Sequence, residues 1–221
     1  MARFEIPQGW AAQAYRFALD PTPAQQAGLH SHAGARNFAF NTMLAAVKAN
    51  LDQRAAEKTY GLGADDLTPC LGWSMRLLRN EWNRRKHRVA VRADGTVWWD
   101  QNSKEAYASG CQSLANALEN WSKSRNGQRK GPRVGFPRFK SKRHAVKKFS
   151  FTTGAIRVEP DRHHVTLPRL GRIRTHESTR QLARRLQAGR ARILSVTLRL
   201  IGGRWQCAFQ VIVAGKTRPA H

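Results

Sequence analysis

Along residues 13–19, Tyr15, Phe17 and Leu19 alternate with Ala14, Arg16 and Ala18, and this period of two predicts a half-buried β-strand. Asp20-Pro-Thr-Pro-Ala-Gln25 stops the strand and starts a helix, with Thr22 as N-cap, Pro23 at the first helical position and Gln25 three residues past the cap. Apolar side chains then recur at helical spacing through Leu29, Phe38, Phe40, Leu44 and Val47. Gly34 interrupts them and predicts two helices with a short break, a helix-turn-helix-like start. Residues 60–72, with their glycines, aspartates and proline, read as a linker. A helix over 74–86 follows, bearing Leu77, Leu78 and Trp82, and then a hairpin over 89–99 turning at Asp94-Gly95. Ser103 caps a further helix whose Tyr107, Cys111, Leu114, Leu118 and Trp121 share one face, and Asn126-Gly127 ends it.

After residue 148 the pattern changes to short β-like runs: Phe149 to Thr152, Ile156 to Val158, His164 to Leu167, Arg172 to Thr175, Ile193 to Leu200 and Trp205 to Val213. Gly154, Pro160-Asp161, Pro168, Gly171 and Gly202-Gly203 punctuate them, and only Ser178 to Leu186 reads as a helix, capped by Ser178 and Thr179. The strand at 13–19 has no β neighbour in sequence. It is therefore expected to join the later sheet, leaving the helical block as an insertion. The fold class is α+β, a small antiparallel β-barrel with a helical block inserted after its first strand. The divisions are 13–20 for that strand, 21–126 for the insertion, 127–148 for a basic linker and 149–214 for the remainder of the barrel.

Charge adds the first hint of chemistry. The 221 residues hold 39 Lys+Arg against 14 Asp+Glu, a formal charge of +25. With 41% hydrophobic residues this is a folding chain, since a disordered basic tail is poorer in apolar side chains. A chain of this length buries roughly 70% of its extended surface. The excess is uneven: residues 1–110 carry 14 basic and 10 acidic side chains, residues 111–221 carry 25 and 4. Such a field suits a polyanion, because each phosphate neutralised by Lys or Arg releases a condensed counterion. No stretch approaches the 18 or so apolar residues of a membrane span. Glu5 and Pro7 break up the apolar run that a signal peptide needs, so a cytoplasmic protein is expected. Cys70, Cys111 and Cys207 are isolated, which argues against disulfides and a cysteine zinc site.

Between Lys123 and Lys148 stand 11 Lys or Arg and no acid, interleaved with Phe136 and Phe139 and followed by Phe149 and Phe151. Cations that track a backbone beside aromatic faces form a single-strand or RNA-binding surface. The plainer reading makes this a solvated loop whose phenylalanines anchor it to the core.

Within it, Gly135-Phe-Pro-Arg-Phe-Lys-Ser-Lys-Arg-His144 resembles a signature of the TnpB (OrfB) proteins of bacterial insertion sequences, RNA-guided nucleases related to type V CRISPR effectors. Tyr15-Arg-Phe-Ala-Leu-Asp-Pro-Thr-Pro-Ala-Gln-Gln26 resembles that family's opening strand and helix start. Gly34-Ala-Arg-Asn-Phe-Ala-Phe-Asn-Thr-Met-Leu44 resembles its next segment, and Leu167-Pro-Arg-Leu-Gly-Arg-Ile-Arg174 and Arg204-Trp-Gln-Cys-Ala-Phe209 its later strands. Asn37 departs from the pattern, since many relatives carry a second basic residue there. The resemblance implies the N-terminal half of such a protein: an oligonucleotide-binding-like barrel, the wedge domain, with a helical recognition region inserted after its first strand. Its expected partners are a transposon-end guide RNA and DNA, with no membrane, in a bacterial cytoplasm and on the nucleoid when bound to DNA. Cutting in the family belongs to a RuvC-like domain with an Asp-Glu-Asp magnesium site and a four-cysteine zinc element. Neither is found in this sequence, so no cofactor and no cleavage are expected of this chain alone. The contact residues expected are Arg36, Asn41, Arg133, Arg138, Phe139, Lys140, Lys142, Arg143, Lys147, Lys148, Arg172 and Arg174.

Other features read more plainly. His163-His164 and His30 with His32 lack a third ligand at useful spacing. Trp98-Trp99, as strand neighbours, would face opposite sides, one into the core and one to a surface contact. Arg172 and Arg174, two apart on a strand, form a plausible phosphate row on one face. Two further readings are a stand-alone, nuclease-dead RNA- or DNA-binding regulator or accessory subunit, and a ribosomal-type RNA-binding protein.

Overall fold

A computed structural model of the chain describes residues 5–152 and 155–215. The turn expected at Gly154 lies outside them. Two compact units result, one of Met1–Ser31 with Val146–His221 and one of His32–Ala145.

The first unit is built on one antiparallel sheet. Strand β1 (Trp10–Asp20) pairs along one side with β7 (Arg204–Ala214) and, at Leu19 and Asp20, with β5 (Gly171–Thr175) on the other. Adding β2 (Lys148–Phe151), β3 (Arg157–Val158), β4 (His164–Leu167) and β6 (Ala191–Ile201) gives the order β2-β6-β7-β1-β5-β4-β3. The first strand thus joins the later sheet, as its isolation in sequence required. Closure is corrected: among the described residues β2 and β3 stand at the two ends, so the sheet is open and not a barrel. Gly202 and Gly203 turn β6 into β7 with both φ angles positive, at 55° and 77°, the backbone that a two-residue hairpin with the right twist demands. Between Ile193 and Ser195 the register shifts by a bulge.

Alternation along the strands gives the sheet one apolar face. Tyr15, Phe17 and Leu19 of β1, Phe149 and Phe151 of β2, Val196 and Leu198 of β6 and Trp205, Cys207 and Phe209 of β7 are all buried. Phe17 meets Phe209 edge-on with ring centroids 6.1 Å apart, and Phe149 meets Trp205 at 6.1 Å. Leu182 of α4 (Arg180–Gln187) is also buried, and Arg185 of α4 donates to Gln13 Oε1 and to Tyr15 Oη at 2.6 Å each. Thr179 occupies the α4 N-cap without a side-chain bond, while Ser178 Oγ accepts the Arg180 N–H at 3.3 Å.

Helix α1 (Pro23–Thr59) begins with the expected reciprocal cap: Thr22 N–H donates to Gln25 Oε1 at 3.0 Å and Gln25 N–H to Thr22 Oγ1 at 3.3 Å. Its first residues belong to the sheet unit, where Gln25 Nε2 donates to the Arg172 carbonyl at 2.7 Å and His30 packs edge-on against Trp205 at 5.4 Å. The break expected at Gly34 does not occur. A mid-helix glycine costs only about 1 kcal/mol relative to alanine, and the buried stripe of Leu29, Ala33, Phe40, Met43, Leu44 and Val47 runs past it.

In the second unit the rest of α1 packs with α2 (Met75–Val89) and α3 (Lys104–Arg125), whose N-caps Ser74 and Ser103 each accept a backbone N–H. Gly127 has a φ of 70° just past α3, where an L side chain would be strained. Trp82 stacks on Tyr107 at 4.9 Å, and Phe38 meets Trp82 and Trp98 edge-on at 5.9 and 4.8 Å. The stretch read as a linker at 60–72 is fastened down: Asn50 binds the Pro69 carbonyl at 3.0 Å and the Leu71 N–H at 2.8 Å, and Glu57 accepts the Thr68 N–H at 2.8 Å. The hairpin expected over 89–99 shrinks to a single bridge, Val91 to Val97, around a turn in which Asp94 Oδ1 accepts the Thr96 N–H at 2.8 Å. Val89 continues α2 instead, and Trp98 and Trp99 lie half-buried outside any strand, with Lys86 Nζ 3.7 Å from the Trp99 centroid.

Helices α1 and α3 touch main chain to main chain at Gly110. A Cβ there would stand 2.2 Å from the Arg36 carbonyl oxygen and 3.2 Å from Ala39 Cβ. Gly110→Ala is expected to destabilise the protein by about 1–3 kcal/mol through overpacking against backbone that cannot turn aside. Equilibrium urea unfolding of the two proteins checks it; equal midpoints would refute the close approach.

Candidate nucleic-acid interface

The contact residues expected from sequence fall into two groups, one on each unit. In the helical unit Arg36 and Asn41 lie on α1, and Phe139 and Lys140 are held against it. Arg36, Phe40, Leu44 and Lys48 follow at intervals of four, which places them above one another on the helix. The irregular segment around Pro137 is fixed to α1 by Asn41. Its Nδ2 donates to the Lys140 carbonyl at 2.9 Å and its Oδ1 accepts the Lys140 N–H at 2.8 Å. One amide thereby satisfies both main-chain groups of residue 140. Asn41 positions the loop, with both polar ends engaged inside the protein.

The flanking side chains settle on α1 as well. Lys140 Nζ stands 4.2 Å from the Phe40 ring centroid, and Lys48 Nζ stands 5.5 Å from that of Phe139, both within cation–π range. Phe139 is 53% exposed and available to a stacking base. Phe136 packs edge-on against Trp121 at 5.0 Å, while Phe149 and Phe151 belong to the sheet core. Of the four phenylalanines, only Phe139 presents a largely open face.

Arg36 is buried, unlike the other cations of the group. Its Nη1 donates to Asn37 Oδ1 at 2.7 Å and its Nη2 to Ser113 Oγ on α3 at 2.6 Å. Burial pulls its pKa down from the ordinary arginine value. The Lys140 ammonium is also lowered, by burial first and by the positive charge of Arg36 second. Arg133, Arg138, Lys142 and Arg143 are exposed. The last two lie in a turn where Ser141 accepts the Ala145 N–H at its carbonyl (3.0 Å) and the His144 N–H at Oγ (3.1 Å).

In the sheet unit, Lys147 and Lys148 are exposed, and Lys148 stands in register with Arg199 of β6, itself opposite Gln206 of β7. The adjoining row runs Ser150, Thr197, Ala208 and Arg16, with Ser150 Oγ 3.0 Å from Thr197 Oγ1. This outward face carries no acid at any of these positions. Sequence reading missed Arg16 and Arg199 because their alignment depends on strand register, and it missed Lys48 although the interval of four from Phe40 was visible.

Arg172 and Arg174 both project from the exposed face of β5, as their spacing required. The phosphate row is partly occupied by protein: Arg172 Nη2 pairs with Asp161, whose Oδ2 also lies 2.8 Å from His164 Nδ1. The Asp161 carboxyl is held down at about 2 from an ordinary 3.8, first by the His163 N–H and then by Arg172 and His164. Arg174 stands in register with His164 and Asp20. His32 is structural: its Nε2 accepts the Ser103 N–H at 3.1 Å at the cap of α3. Among the described residues no three His, Cys, Asp or Glu side chains converge as a metal site would require.

Comparison with known proteins places the chain among the DNA-binding proteins of insertion sequences. Residues 11–55 match the family described as "Helix-turn-helix domain" (HTH_OrfB_IS605), which here comprises most of β1 and the continuous α1 as far as residue 55. Two Mycobacterium tuberculosis relatives are named "Putative RNA-guided DNA endonuclease MT2953", from strain CDC 1551 / Oshkosh, and "Putative RNA-guided DNA endonuclease Rv2885c", from strain H37Rv. Each is 46% identical over 214 residues, 96% of this chain and 45% of the relative. The chain belongs to the TnpB (OrfB) family, and it spans about half the length of the curated relatives it matches.

Asn41→Ala is expected to cost about 1–3 kcal/mol, the price of stranding two part-buried main-chain groups, and to admit trypsin within 135–145. Limited digestion checks this, and an unchanged cleavage pattern would contradict the clamp. For Asp161 the depressed pKa means a stabilising contribution that is complete above the ordinary carboxylate value and lost as pH falls through about 2. Melting temperatures of wild type and Asp161→Asn, followed from pH 5 to pH 2, should converge at the acid end.

Proposed function

We propose that this chain is the nucleic-acid-grasping portion of a TnpB-type RNA-guided DNA endonuclease, holding a transposon-end guide RNA and the DNA that the guide addresses. The observation that carries the reading is the basic segment 123–148, with 11 cations and no acid, fastened to α1 through Asn41 so that Arg138, Lys142, Arg143 and the Phe139 ring stand exposed. Cations fixed in place beside an open aromatic face grip a phosphate backbone while a base stacks. The sheet unit carries a second acid-free basic surface of its own, with Lys148, Arg199 and Arg16 on its outer face. The M. tuberculosis relatives, named as RNA-guided DNA endonucleases, supply the RNA-guided context.

Two-metal cutting needs clustered carboxylates. The described residues do not fit the Asp-Glu-Asp magnesium site or the four-cysteine zinc element, so no cleavage step is derived for them. We assign them binding alone, with no resident cofactor. Among the described residues no helix is long and apolar enough to cross a membrane. The proposed function would place the protein in the bacterial cytoplasm, on the nucleoid when DNA is bound.

Titrating single-stranded RNA at increasing salt should give a log–log slope of about −0.7 per phosphate contacted. Replacing Arg138, Lys140, Lys142 and Arg143 together by Ala should weaken binding about a hundredfold at low salt, at roughly 0.7 kcal/mol for each charge. A slope near zero, or unchanged affinity in the quadruple variant, would refute the reading.

A further inference from the structure

We infer that Arg36 and Lys140 together form a seat for one backbone phosphate of the bound nucleic acid, an assignment that rests on the function proposed above. The argument starts from a charge imbalance inside the protein. Arg36 is 9% exposed, and its two assigned hydrogen bonds go to neutral acceptors, Asn37 Oδ1 and Ser113 Oγ. A guanidinium has five N–H donors, so part of its fork remains for another acceptor. Lys140 is half-buried with its Nζ 4.2 Å from the ring of Phe40, which lies one helical turn from Arg36 on α1; burial lowers the pKa of both cations, and no acid contributes to either shift. None of the ion pairs among the described residues involves either cation. Two like charges withdrawn from water without a counter-charge are unfavourable unless an anion completes the site.

The surroundings fix that anion's chemistry. Asn41 holds the main chain of Lys140, and the Phe40 ring lies beneath its ammonium at 4.2 Å, so the charge is positioned before any ligand arrives. A planar fork and a point charge about one helical turn apart complement the two unesterified oxygens of a phosphodiester. An acidic protein side chain would answer one cation, whereas the run of 11 cations without an acid along 123–148 suits a strand of evenly spaced anions. With Phe139 beside Lys140, a base next to the seated phosphate meets an exposed ring.

The test uses the full chain and Lys140→Met, which keeps the stem over Phe40, with Lys140→Arg as the charge-preserving control. Thermal unfolding is followed in sodium chloride and in sodium phosphate at equal ionic strength. Wild type and Lys140→Arg should gain melting temperature in phosphate; Lys140→Met should melt higher than wild type in chloride and show no phosphate-specific gain. With a single-stranded oligonucleotide, Lys140→Met should lower affinity several-fold and reduce the salt slope by about 0.7, one phosphate contact. An equal phosphate response in Lys140→Met overturns the seat. A phosphate response that depends on Lys140, with an unchanged oligonucleotide slope, overturns its assignment to a backbone phosphate and leaves a free-phosphate site. A wild-type slope near zero refutes the nucleic-acid reading itself, whereas a steep slope insensitive to Lys140 refutes the seat alone.

Discussion

The pairing of β1 with β7 along Trp10–Ala18 is the contact on which the sheet unit depends, because it joins strands separated by most of the chain. On its other side β1 reaches β5 through only Leu19 and Asp20, so this one strand links the β2-β6-β7 half of the sheet to the β3-β4-β5 half. Both links form only when the ends of a long intervening segment meet. Loop-closure entropy grows slowly, by about 0.6 kcal/mol for each doubling of length. A helical unit of the size of 32–145 can therefore interrupt the sheet unit without forbidding its sheet, while slowing the search for it. The alternation Tyr15, Phe17, Leu19 favours the pairing, since a slip of one residue would turn those side chains to water.

The large positive charge separates into parts with different physics. Some cations are structural, such as Arg185 on Gln13 and Tyr15, or Arg172 on Asp161. Others are solvated and free to meet a ligand, among them Arg138, Lys142, Arg143 and Lys148. Arg36 is of a third kind, a charge built into the crossing of α1 and α3, where Gly110 permits the approach and Ser113 supplies a neutral acceptor. The overall charge of +25 could not reveal this division.

Local chemistry was largely legible in the sequence. The Thr22–Gln25 cap, the Ser103 cap, the Asn126-Gly127 stop and the Gly202-Gly203 turn each depend on a few neighbouring residues and stand where the pattern put them. What sequence could not give was the outcome of competition with distant parts. Gly34 marked a break by its own propensity, yet the buried stripe on either side holds α1 continuous. Asp94-Gly95 favoured a hairpin, but Val89 finished α2 and the strands had no sheet to join. The open sheet reflects β2 and β3, both short, standing at opposite ends of the strand order. For the candidate site, the basic segment and Phe139 were visible as composition. The inward service of Asn41 and the concealment of Arg36 were not, because both are set by what α1 faces across the unit.

Asn41 grips residue 140 entirely through main-chain atoms. Every amino acid except proline offers the same N–H and C=O, so the loop stays moored whatever side chain stands at that position. Geometry and chemistry are thereby inherited separately: the mooring fixes where a contact is made, while mutation at 140 is at liberty to alter what makes it. A lineage with this arrangement can retune its affinity for a strand one side chain at a time without re-evolving the shape that presents it.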